Sequence, residues 1–127
     1  MKPKPAAVSK LRVVVVDDVA LTRSLISETL LKLQRFDVVG EAQRWHRGSN
    51  AIERLKPDLV TLDLAMPKMG GIEVLEQLNP HKIGAKVIVL SALHGETARE
   101  KCLQLGAAAI FDKTLQFEDF QSALAEL

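Results

Sequence analysis

The chain contains no tyrosine, a single tryptophan and a single cysteine among its 127 residues. The lone Cys102 excludes an internal disulfide, and its place in a predicted helix makes it a packed or half-exposed thiol. Neither sign of charge dominates. The net charge is +1 with acids and bases interspersed, which leaves no electrostatic footprint for nucleic acid or a membrane surface. No apolar stretch approaches the ~20 residues needed to cross a bilayer. No G-x-G-x-x-G follows the first apolar run, which removes the dinucleotide-binding reading. The three histidines, His46, His81 and His94, form no pair at helical metal-ligand spacing and read as surface residues, although His94 lies close to Ser91 in sequence. Internal repeats, low-complexity segments and linkers are also missing.

What is present is a hydrophobic content of 47%, enough for a real core in one domain. Residues 1–10 carry three lysines and two prolines but no apolar core, so they read as a loose leader and not a signal peptide. The domain is expected over residues 11–127, and the chain as a whole reads as cytoplasmic.

Val-, Ile- and Leu-rich runs alternate with stretches of helical period, the pattern of βα units on a parallel sheet. Strands are expected at Leu11–Val16, Phe36–Glu41, Leu59–Leu62, Lys86–Leu90 and Ala108–Phe111. Helices are expected at Leu21–Leu33, Ser49–Lys56, Ile72–Leu78, Glu96–Leu105 and Phe117–Glu126. In the first helix Leu21, Leu25, Ile26, Thr29, Leu30 and Leu33 form one apolar stripe. Pro57 ends the second helix, Pro80 limits the third, and Gly106 caps the fourth. Strands apolar on both faces require helices on both faces, giving a three-layer (βα)5 α/β sandwich. Trp45 falls in the loop before the second helix, as a partly buried anchor or a partner contact.

Four of these runs end on polar residues. The first leads into Asp17-Asp18, the third into Asp63, the fourth into Ser91, and the fifth passes Asp112 to reach Lys113. Ligands of open α/β sheets sit beyond the carboxyl ends of the strands. Carboxylates gathered there raise one another's pKa unless a cation intervenes, and Mg²⁺ suits such a hard-oxygen set. Taken singly, each residue has a plainer use: an aspartate capping a helix, Ser91 as the N-cap of the fourth helix, Lys113 solvated. Their shared position at successive strand ends favours a site for a divalent cation and a phosphoryl group.

The stretches VVVVDDVALTRSLI, PDLVTLDLAMPKMGGIEVLEQL, KVIVLSA and GAAAIFDK resemble the receiver domain of two-component response regulators, of the chemotaxis-type single-domain kind. The resemblance covers about residues 11–126. It implies a flavodoxin-like fold with strand order 2-1-3-4-5. It also implies that Asp63 is the phosphoacceptor, taking a phosphoryl group from a histidine kinase or histidine phosphotransfer protein. Asp18 is then a direct Mg²⁺ ligand, with Mn²⁺ as the alternative ion. Asp63 and the backbone carbonyl of Ala65 complete the set, and Asp17 acts through water. Lys113 and Ser91 bind the phosphoryl group, and Met66, Pro67 and Gly71 shape the loop. Phosphorylation is expected to switch the face made by the fourth helix, fifth strand and fifth helix toward a downstream protein. The domain is not itself expected to be an enzyme, to touch nucleic acid or membrane, or to be more than a monomer or weak dimer.

Three departures stand out. The family often has proline after the lysine, with a cis bond, where this chain has Thr114. It often has an aromatic switch residue where this chain has Ile110, and the neighbouring Phe111 must face the other way. Ala65 and Leu93, at positions that influence water access, are both apolar. The first two leave room for a phosphorylation-independent binding module of the same fold. An aspartate-nucleophile phosphatase needs a second aspartate two residues after the first, and that position is Ala65.

Overall fold

The computed structural model describes residues 10–65, 71–92 and 95–127. Five parallel strands form one sheet in the order β2-β1-β3-β4-β5. They are β1 (Leu11–Val16), β2 (Phe36–Ala42), β3 (Leu59–Leu62), β4 (Lys86–Ser91) and β5 (Ala109–Asp112). The helices that return the chain are α1 (Ala20–Leu33), α2 (Trp45–Leu55), α3 (Gly71–Leu78), α4 (Glu96–Gln104) and α5 (Phe117–Ala125). A separate helical turn, Pro80–Ile83, precedes β4.

Side chains alternate across the sheet, so each strand feeds two cores. Val14, Val16, Val60, Leu62, Val87, Val89 and Ile110 pack with Trp45 and Ile52 of α2, Val74 and Leu75 of α3 and Cys102 of α4. On the other face Val13, Val15, Leu59, Ile88 and Leu90 meet Ile26 and Leu30 of α1 and Phe120 and Leu124 of α5. This is the three-layer sandwich expected of strands that are apolar on both sides.

Several local expectations are corrected. The second helix begins at Trp45, not Ser49, so Trp45 is its first residue and is buried. Its indole Nε1 donates to Gln77 Oε1 of α3 at 3.1 Å. Gly48 lies within that helix because it is a point of close approach: a Cβ there would stand 2.9 Å from both methyls of Val16. The apolar stripe of α1 is narrower than expected. Ile26 and Leu30 are buried, but Leu21 is 69% and Leu25 42% exposed. Pro80 does more than limit α3, because its fixed φ suits the first position of a new helical turn. Gly106, with φ +105°, follows the Leu105 C-cap of α4 as expected.

Candidate functional site

The register of β1 with β3 pairs Val16 with Leu62, which brings Asp17 and Asp63 side by side just past the strand ends. The backbone amide of Asp63 donates to the Val16 carbonyl at 2.9 Å, and that of Asp17 to the Ala42 carbonyl at 3.0 Å. Both aspartates therefore stand on paired backbone. Lys113 follows β5, its amide donating to the Ser91 carbonyl at 2.9 Å.

From there the Lys113 ammonium crosses the sheet edge. Its Nζ lies 2.8 Å from Asp17 Oδ2 and 3.0 Å from Asp63 Oδ2. The remaining carboxylate oxygens are held by nearby amides, Asp17 Oδ1 by that of Val19 at 2.8 Å and Asp63 Oδ1 by that of Ala65 at 2.9 Å. Asp17, Asp63 and Ser91 are each no more than 2% exposed, whereas Asp18 is open to solvent.

Burial pushes the Asp17 carboxyl above its usual range. The hydrogen bond from Lys113 and the Val19 amide oppose this, and the charge of Asp63 adds to it. For Lys113, burial alone would lower the pKa, but hydrogen bonds and charge from Asp17 and Asp63 together outweigh it and the ammonium is strengthened. Burial therefore decides the direction at Asp17, and the two carboxylates decide it at Lys113.

Asp17, Asp18 and Asp63 each offer a carboxylate oxygen, all within 4.8 Å of one another. Oxygen donors alone, two of them buried and partly compensated by one ammonium, match the chemistry of a hard divalent ion. The donor set fits Mg²⁺.

Among the residues singled out by sequence, Asp17, Asp63 and Lys113 are in direct contact. Asp18 joins them through the carboxylate cluster, and Ser91 ends the neighbouring strand. Ser91 is not the N-cap of α4, a position held by Gly95. Ile110 is buried in the core on the α2–α3–α4 side. Phe111 faces the opposite layer, 6.0 Å from Phe120 ring to ring. No peptide bond among the described residues is cis, so Lys113–Thr114 is trans. Gly71 heads α3, while Met66, Pro67, Leu93 and His94 lie outside the described residues. His46 and His81 are exposed as expected. Cys102 is fully buried, and burial pushes its thiol up.

Three further residues, to which the sequence assigns no role, support the site: Arg23, Asp112 and Gln116. Arg23 Nη1 donates to the Asp17 carbonyl at 2.7 Å. Asp112 and Gln116 bracket Lys113 with side-chain-to-backbone hydrogen bonds. The aspartate followed four residues later by glutamine was a readable signal, since it resembles a capping box lengthened by one residue.

Comparison with known proteins agrees with this architecture. The family model of the response regulator receiver domain matches residues 13–125. The chain belongs to that family and is a signalling domain of two-component systems. The chemotaxis protein CheY of Bacillus subtilis is 34% identical over 116 residues, covering 89% of this chain and 93% of that protein. A protein-glutamate methylesterase/protein-glutamine glutaminase of Koribacter versatilis is 48% identical over 100 residues. That match covers 76% of this chain but only 27% of the relative, so the chain spans about a quarter of the methylesterase's length. The response regulator domain of Thermotoga maritima CheB superposes with a TM-score of 0.79 at 31% identity, covering 92% of each chain. A CheY from Borrelia burgdorferi, solved in complex with CheX, BeF3⁻ and Mg²⁺, superposes with a TM-score of 0.76 at 26% identity, covering 91% of this chain and 90% of that one.

Proposed function

We propose that this domain accepts a phosphoryl group on Asp63 from a phosphohistidine of a histidine kinase or phosphotransfer protein, and that it does so in the cytoplasm with Mg²⁺ bound. The supporting observation is the Lys113 ammonium set between Asp17 and Asp63, at 2.8 and 3.0 Å, with Ser91 at the adjoining strand end.

An oxygen of the Asp63 carboxylate attacks phosphorus. The new O–P bond forms as the N–P bond to the donor imidazole breaks, and the released imidazole takes up a proton. Asp63 is aligned by the Ala65 amide, which fixes the plane of its carboxylate. Lys113 neutralises charge on a phosphoryl oxygen, and the Ser91 hydroxyl donates to another. Asp18 and Asp63, with the Ala65 carbonyl, would hold Mg²⁺ directly and Asp17 through water; Mn²⁺ fits the same donors. The ion, when bound, supplies further positive charge against the phosphoryl oxygens. The face of α4, β5 and α5 then changes its packing and with it the affinity for a downstream protein. The CheX-bound relative is a precedent for a partner of this kind.

Ile110 favours a second reading. With an aliphatic side chain buried in the core at this position, no aromatic ring is available there to swing between two states. A module that binds its partner without phosphate would give equal affinity with and without beryllofluoride, whereas a switch gives different affinities.

The first reading is tested by mass spectrometry after incubation with Mg²⁺ and a small phosphodonor. One added phosphoryl group is expected in the wild type and none in Asp63→Asn. A wild type that takes up nothing would refute it.

A further inference from the structure

We propose that Asp112 and Gln116 form a latch that aims Lys113 at the site, taking the part that a rigid ring after the lysine would otherwise play. The proposal deepens the phosphoacceptor reading and rests on it.

The β5–α5 connection has to turn sharply and still deliver the Lys113 ammonium across the sheet edge. The residue after Lys113 is Thr114, in a trans peptide, so no proline ring restricts φ there. The chain restrains the turn with side chains instead. Asp112 Oδ1 accepts from the amides of Thr114 at 2.8 Å and Leu115 at 2.9 Å. Gln116 Oε1 reaches back to accept the Asp112 amide at 2.9 Å, and the Gln116 amide donates to the Asp112 carbonyl at 2.9 Å. Lys113 itself is tied by its own amide to the Ser91 carbonyl. The backbone is therefore fixed before, at and after Lys113. Thr114 and Leu115 are exposed, Leu115 by 81%, so packing holds this turn only weakly and the hydrogen bonds set its shape.

The consequence is geometric. A lysine side chain has four rotatable bonds and loses much rotamer entropy when ordered. A loose backbone beneath it would multiply the positions its ammonium can reach. Holding that backbone narrows them to the one between Asp17 and Asp63. Asp112 and Gln116 touch none of the reacting atoms and are positioning residues.

The experiment compares wild type, Asp112→Ala, Asp112→Asn and Gln116→Ala for phosphorylation rate with a small phosphodonor, Mg²⁺ affinity, and the side-chain NMR signals of Lys113. The carboxamide of Asp112→Asn keeps the accepting oxygen. Asp112→Ala is expected to slow phosphorylation about tenfold or more, to leave Mg²⁺ affinity in place, and to collapse the Lys113 signals toward solvent-averaged values. Asp112→Asn restores both the rate and the signals, and Gln116→Ala falls between. Unchanged Lys113 signals and rate in Asp112→Ala overturn the latch, as does an Asp112→Asn that behaves like alanine. If Asp112→Ala fails to fold, Gln116→Ala decides: wild-type rate and signals in it overturn the latch. If the wild type itself takes up no phosphoryl group, the functional reading fails, and the Lys113 signals still decide whether the latch exists.

Discussion

Lys113 Nζ lies 3.0 Å from Asp63 Oδ2 across 50 residues of sequence, and the same ammonium reaches Asp17. A cation placed between two buried carboxylates determines how the site responds to mutation and to pH.

Removing that cation leaves Asp17 and Asp63, 1% and 2% exposed, with only backbone amides as hydrogen-bond donors among the described residues. Breaking a buried pair costs about 3–5 kcal/mol, and the partial exposure of Lys113 places Lys113→Ala near the lower end. Urea unfolding near neutral pH measures the loss. The loss shrinks as pH falls through the raised Asp17 value, because burial favours the protonated form of that carboxyl.

The pH dependence follows from the two shifts. The Asp17 carboxyl is raised above 3.8 by burial, so the folded state holds its proton more tightly than the unfolded state. Stability therefore falls as pH rises from 3.8 through the raised folded value. Asp17→Asn keeps an acceptor for the Val19 amide and removes this slope, and its urea midpoint at neutral pH is expected above that of the wild type. The Lys113 contribution has the opposite origin and the same sign: it is fully present below 10.5 and is lost as pH rises through the raised folded value.

Gly48 sets how closely α2 lies on β1. A methyl group there meets both methyls of Val16 at 2.9 Å. Gly48→Ala is expected to destabilise by about 1–3 kcal/mol through overpacking, despite the better helix propensity of alanine. Thermal unfolding checks it, and a stabilised variant would contradict the packing described.

Trp45 is the single tryptophan and is 7% exposed. Its fluorescence should be blue-shifted and poorly quenched by acrylamide. Trp45→Ala is expected to cost about 3–5 kcal/mol. Trp45→Phe keeps most of the apolar contact but loses the bond to Gln77, for about 1 kcal/mol.

The strands and the site residues were legible for one reason. Four of the five strands are short apolar runs, and the candidate site residue of each is a polar group at or just past its end, as with Leu62-Asp63 and Leu90-Ser91. The start of α2 was hidden because Arg44 makes no side-chain cap bond and Gly48 mimics a helix breaker. The stripe of α1 is narrower than its period suggests because periodicity marks Leu21 and Leu25 as core-facing, while Ile26 and Leu30, with Leu33 partly buried beside them, are the positions that pack on the sheet. The contacts of Asp112 and Gln116 depend on the path of a turn, which residue type alone does not specify.

The central claim is that Asp63 is the residue that receives phosphate. Borohydride reduction of an aspartyl phosphate yields homoserine, which peptide mass spectrometry can place. After incubation with Mg²⁺ and a small phosphodonor, homoserine is predicted at position 63 and nowhere else, and it disappears when the ion is chelated. Homoserine at Asp17 or Asp18, or at no position, would contradict the account.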